Sequence, residues 1–230
     1  MASGPHSTIL SPADSAKVTA AVGAAEAHAN AEIVTVVTRA SDAYADVALG
    51  WSALIAGLTL LVVTLFSGFT LSLADALLGL WAHAWTPHEV LEFALFVACI
   101  AFIGMWVILQ WRRLRLIVTP GPIKAARVRA RAQIAFRLAA QGRTQGATGV
   151  VIYLSMAERR AEIVADAAIA GKVEPQVWGD AMHAMLAHFR DDRVGDGLVE
   201  GVTQVGRVLA AHFPREHQPV NELPDGPIEL

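Results

Sequence analysis

Carboxylates are the first groups in this 230-residue sequence whose types and spacing could do chemistry. Asp166 closes the run RAEIVA, and Glu158 lies in the short segment ahead of that run. Two carboxylates that meet can share a divalent cation or divide the acid and base roles. These two cannot meet if RAEIVA is a strand. Its ends would stand about 20 Å apart at roughly 3.3 Å per residue, with Glu158 and Asp166 at opposite edges. Asp166 alone is left as a candidate metal ligand. A hard cation such as calcium takes six to eight oxygens, so Asp180 or acids from elsewhere would have to approach it. The competing reading is a strand-end carboxylate that accepts from nearby backbone or pairs with an arginine.

Other constellations are less complete. Asp191, Asp192, Asp196 and the glycines among them resemble a calcium loop but lack its spacing and its later glutamate. His183 and His188 are five apart and face different ways on a helix, so no zinc pattern results. Asp180 and His183 share a face, which reads more simply as a surface pair. Ser155 follows an apolar run without a G-x-S-x-G elbow, and no glycine loop suited to phosphate is present.

The elements that must position these groups are organised around two apolar segments, residues 48–66 and 91–111. Each is long enough to cross a bilayer, which takes about 20 apolar residues, and each would be helical there. Mean hydropathy of the chain is +0.45. No Lys or Arg occurs between Arg39 and Arg112, whereas nine basic residues and no acids fill residues 112–143. By the positive-inside rule the arginine side is cytoplasmic, the 67–90 loop lies outside, and both flanks face the cytoplasm. Trp51, Trp81, Trp85 and Trp111, with Arg112, Arg113 and Arg115, are the expected interface residues. The basic block suits anionic lipid headgroups. Nucleic acid is not expected, since no aromatic platform accompanies the arginines. The single cysteine, Cys99, excludes an intrachain disulfide and a cysteine-rich metal site. The N-terminus lacks a charged region followed by an apolar core, so no cleavable signal peptide is expected.

The soluble elements follow in order. Ser11 and Pro12 open a helix that runs to about Ala29. EIVTVVT is apolar on both faces and reads as an inner strand. Ser41 and Asp42 are expected to cap a helix that continues into the first span. The loop between the spans holds LSLADALLGLW, a candidate interfacial helix, and Thr86 with Pro87 reads as the start of the second span. After Pro120 a basic helix is expected, with Ile123, Ala130, Ile134 and Leu138 inward. VVIYL reads as a central strand, joined to RAEIVA by an antiparallel hairpin. Two further helices follow, the first with Val177, Ala181, Met185 and Phe189 inward, and a proline-rich tail is expected to lie extended on the surface. The fold class is α/β: a small mixed sheet sandwiched by helices and interrupted by a two-helix transmembrane hairpin. Residues 1–47 and 112–214 would form the α/β domain, 48–111 the hairpin, and 215–230 the tail.

AEIVTVVTR before the hairpin, GVVIYLSMAERRAEIVAD after it and the ending HFPREHQPVNELPD resemble the membrane-inserted bacterial branch of the TPM domain family. The resemblance spans nearly the whole chain, residues 10–225. It implies a compact α/β sandwich at a bacterial cytoplasmic (inner) membrane. For some relatives, including a plant thylakoid protein associated with photosystem II repair, acid phosphatase activity has been proposed. Other relatives bind calcium or act as accessory subunits of membrane complexes. In the metal-binding relatives the loop before the GVVIYL-like strand carries acids and an asparagine. Here it reads RTQGAT, with Thr148 at the asparagine position, and Asp166 stands where many relatives have glycine. The expected function is therefore an accessory module that binds a membrane protein, with no cofactor. A metal-dependent phosphatase, with calcium or another divalent cation at Asp166, is the alternative, and a structural or lipid-interacting anchor is the third reading. Glu158, Arg159, Arg160, Trp178, Asn221, Glu222 and Asp225 are the candidate partner surface.

Overall fold

The computed structural model describes residues 9–79, 83–139, 148–189, 193–215 and 225–230. The chain divides into two compact units, one of Met1–Asp42 with Gly121–Leu230 and the other of Ala43–Pro120.

The first unit is built on a four-stranded sheet. Its strands are β1 (Glu32–Thr38), β2 (Gly149–Ser155), β3 (Arg160–Ala165) and β4 (Ile228–Glu229), in the order β3-β2-β1-β4. β1 runs parallel to β2 with Glu32 beside Gly149 and Thr38 beside Ser155. β2 and β3 form the expected antiparallel hairpin, with Val150 opposite Ala165 and Ser155 opposite Arg160. Every residue of β1 and β2 is buried, as strands covered on both faces must be. Ile33, Val37, Val150, Ile152 and Leu154 face one layer of helices. That layer holds α1 (Pro12–Glu26), α8 (Pro175–His188) and α9 (Val194–His212). Val34, Val36, Val151 and Tyr153 face α6 (Gly121–Ala139) on the other side. The architecture is thus the mixed α/β sandwich read from the sequence. A short α7 (Ala167–Ala170) follows β3.

α1 starts where its cap chemistry requires, with the Ser11 side chain accepting from the Asp14 N–H at 3.0 Å and Pro12 in the first turn. α9 comes close to its neighbours because it is glycine-rich on the inner face. A Cβ on Gly197 would stand 2.8 Å from the Met185 carbonyl oxygen, and one on Gly206 would stand 2.6 Å from the Ala25 Cβ. Only glycine permits those approaches.

Three expectations for this unit are corrected. Ser41 and Asp42 cap no helix; the next helix begins at Ala45, after Tyr44 in the left-handed region at φ 53°. The inner stripe of α6 is Val128, Ala132, Ala135 and Phe136. Ile123, Ala130, Ile134 and Leu138 lie on the outer side, with Leu138 69% exposed. The tail ends as β4, pairing parallel with β1 at Val36 and Val37, instead of lying on the surface throughout. Its carboxylate Glu229 accepts the Ile9 and Leu10 N–H groups at 2.8 and 3.0 Å.

The second unit holds α2 (Ala45–Leu65), α3 (Ser67–Leu78), α4 (Pro87–Ile108) and α5 (Arg112–Val118). α2 packs against α4. Both are long and apolar enough to cross a membrane, at 21 and 22 residues, or about 32 Å at 1.5 Å per residue. Only 22% and 6% of their most apolar windows are covered by the rest of the protein. α4 begins at Pro87, four residues earlier than the apolar run. Thr86 and Glu89 form a capping box there, with the Thr86 N–H donating to Glu89 Oε2 at 2.8 Å.

Candidate functional site

The register of the hairpin places Asp166 and Glu158 at opposite edges of the sheet. At the Asp166 edge, one carboxylate oxygen accepts the Gly149 N–H at 2.8 Å, and the Asp166 N–H returns a bond to the Gly149 carbonyl at 3.0 Å. The side chain is 8% exposed. It closes the end of the β2–β3 ladder by accepting from nearby backbone. Thr148, beside it, accepts the Glu32 N–H through its carbonyl at 3.1 Å. The preceding loop, including Arg143, lies outside the described residues.

The same edge carries a group that sequence reasoning missed. Glu26, in the last turn of α1, accepts the Ile33 N–H at 2.7 Å. Burial pushes its carboxyl up to about 7; the Ile33 N–H opposes that rise, and the nearby charges of Glu32 and Asp225 add to it. No local pattern marks Glu26, since its neighbours come from β1 and from the tail. Among the described residues, no three His, Cys, Asp or Glu side chains converge as a metal site. Asp166 offers one carboxylate already engaged with backbone. That donor set does not fit calcium, which takes six to eight oxygens.

The opposite edge is a buried polar knot. Glu158, read from sequence as part of a partner surface, is 8% exposed. It accepts the Ser41 N–H at 3.1 Å through one oxygen and the Ser155 hydroxyl through the other. Ser41 Oγ and the Tyr153 hydroxyl are 3.2 Å apart, and Arg131 Nε donates to the Ser41 carbonyl at 3.2 Å. Burial, more than any neighbour, raises the Tyr153 phenol above its ordinary value. Arg127 pairs with Asp42 at 3.2 Å, and Arg160 donates to the Gly121 carbonyl at 3.4 Å. Asp42 and Gly121 are where the chain leaves this unit and returns to it. The knot fixes those two points. Ser155, fully buried, is held there as a donor and has no access to substrate.

The remaining candidates are scattered. Arg159 is exposed at the hairpin turn with φ 49°. Trp178 is half-buried against the core, and Asp225 lies near Glu26. Asn221 and Glu222 lie outside the described residues, as does Trp81. In the second unit Trp51 Nε1 donates to the Val118 carbonyl at 3.2 Å and Trp85 Nε1 to Asp75 at 3.0 Å. Trp111, Arg112 and Arg113 are exposed. Arg115 is turned inward, donating to the carbonyls of Leu109, Gln110 and Ala43.

Residues 116–208 match the family model of the TPM domain. The match runs from within α5, across α6, β2, β3, α7 and α8, into α9. The solved NMR structure of BA42 protein from the psychrophilic bacterium Bizionia argentinensis is also similar. It is 15% identical, with a TM-score of 0.55 over 97% of each chain. At that identity the likeness shows the fold. No curated protein matches the chain.

Proposed function

We propose that this chain, which carries a TPM domain, is a membrane-anchored accessory module that binds another membrane protein at the cytoplasmic face of a bacterial inner membrane. The observation that carries the reading is the bare flank of α4. Its most apolar window is 6% covered by the rest of the protein, and Ile100, Ile103 and Val107 are each more than half exposed. Lipid satisfies such a flank, and so does the helix of a partner packed within lipid. The orientation follows from the arginines behind α4 and the absence of Lys and Arg from residues 67–90. The Asp166 edge, with its carboxylate committed to Gly149, supports binding over metal-assisted hydrolysis.

A photo-crosslinking residue at Ile100 or Ile103, in cells, tests the reading. The expected result is one discrete protein adduct from these positions. Adducts to lipid alone, together with no stable co-purification in mild detergent, would leave a structural anchor. Metal-dependent phosphate release that is lost in Asp166→Asn would replace the accessory reading with a phosphatase.

A further inference from the structure

The tight turn before β3 and the exposed side of α8 enclose a cavity of about 330 Å³, lined by Arg159, His183, Leu186, Ala187 and Phe189. Its lining divides into two kinds. Leu186, Ala187 and the ring of Phe189 make an apolar floor. Arg159 and His183, both exposed, stand over it. Among the described residues, neither of those two side chains makes a hydrogen bond or ion pair. This contrasts with the rest of the hairpin end, where Glu158 and Arg160 are both engaged. A cavity of this size, mostly apolar with a few polar groups at one side, is the usual form of a small-ligand site. A guanidinium with no side-chain partner among the described residues suits a planar or tetrahedral oxyanion. The backbone that carries Arg159 is held at the turn: it sits at φ 49°, and its N–H donates to the Met156 carbonyl at 3.2 Å.

We propose that this cavity binds a small oxyanion, phosphate monoester or carboxylate, borne on an aromatic or short aliphatic body. Arg159 and His183 take the anion, and the body lies on Leu186, Ala187 and Phe189. The site is independent of the accessory reading, whose test concerns α4.

Calorimetric titration of the full-length protein in detergent, with phenyl phosphate, benzoate and benzyl alcohol, tests it. Saturable binding of at least one anion is expected, and none of the neutral alcohol; the ratio between the anions separates phosphate from carboxylate recognition. Arg159→Gly suits the backbone at that position while removing the guanidinium. It should weaken the anion about tenfold or more with the thermal transition intact, and His183→Gln should weaken it to a smaller degree. Arg159→Asn, also tolerant of that conformation, repeats the test if the glycine variant is poorly folded. No saturable binding of either anion, or full binding retained without Arg159, overturns the proposal.

Discussion

Arg115 Nη1 donates to the carbonyl of Ala43 at 2.6 Å, joining residues 72 apart in the chain. The same guanidinium donates to the carbonyls of Leu109 at 2.8 Å and Gln110 at 3.3 Å. The carbonyls past the end of α4 have no partners within the helix. Arg115 serves them and ties them to the strand of chain leading into α2. Lysine cannot reproduce the fork. Arg115→Ala should therefore destabilise the hairpin unit by about 1–2 kcal/mol, and Arg115→Lys should recover less than half of that. Thermal unfolding in detergent reads both. A Lys variant as stable as the parent would show that charge alone suffices.

Glu158 offers a second structural test. Its two oxygens accept from Ser41 and Ser155 in a buried setting. Alanine leaves both donors stranded, each costing about 1–3 kcal/mol. Glu158→Ala should lower stability by roughly 2–4 kcal/mol, with Glu158→Gln milder because its carbonyl still accepts one bond. A partner-surface residue would behave otherwise, losing binding with little change in melting. Unchanged thermal stability in Glu158→Ala would return this residue to the surface role.

How legible these features were in the sequence depended on how far apart their partners lie. EIVTVVT and VVIYL announced themselves because strands buried on both faces leave continuous apolar runs. The six-residue β3 and its short connection then fixed an antiparallel partner. The inner face of α6 was misread because the helix is apolar on two sides. Ile123, Ile134 and Leu138 are the bulkier set, yet the sheet takes Val128, Ala132, Ala135 and Phe136. Glu158 looked solvated among charged neighbours, while its acceptor role depends on Ser41, 117 positions away. Glu229 similarly serves Ile9 and Leu10 across about the length of the chain. The Asp166 edge was half legible: strand geometry gave its position, and the Gly149 bond was one of the two readings open to it.

Glu26 gives the protein a pH dependence of definite sign. Its folded value of about 7 lies above the ordinary 4.5. The folded state therefore holds this proton more tightly than the unfolded chain does. Its contribution is fully present below pH 4.5 and is lost as pH rises through 7. Solvent screens part of the effect, since Glu26 is only partly buried, so a loss of about 1–2 kcal/mol is expected by pH 8. Glu26→Gln keeps an acceptor for Ile33 and removes the charge. It should melt higher than the parent at pH 8 and show a flatter profile between pH 6 and 8. A parent profile that rises over that interval would contradict the assignment.

Charge asymmetry about the two apolar helices predicts an orientation that labelling can read. Cys99, in α4, is the single cysteine, so a Cys99→Ser background carries new thiols cleanly. Ser72 is exposed on α3, between the two long helices, and Gln133 is exposed on α6. The positive-inside rule predicts that the arginine-rich side is retained in the cytoplasm. Ser72→Cys should therefore react with a membrane-impermeant maleimide in cells whose inner membrane is intact. Gln133→Cys should react only after that membrane is opened. The reverse pattern would place the α/β unit outside the cytoplasm and remove the accessory reading in its present form. Equal labelling of both before opening would mean that α2 and α4 do not span. In that case the bare flank of α4 would have to be covered by protein in place of lipid, because so long an apolar face is not stable in water.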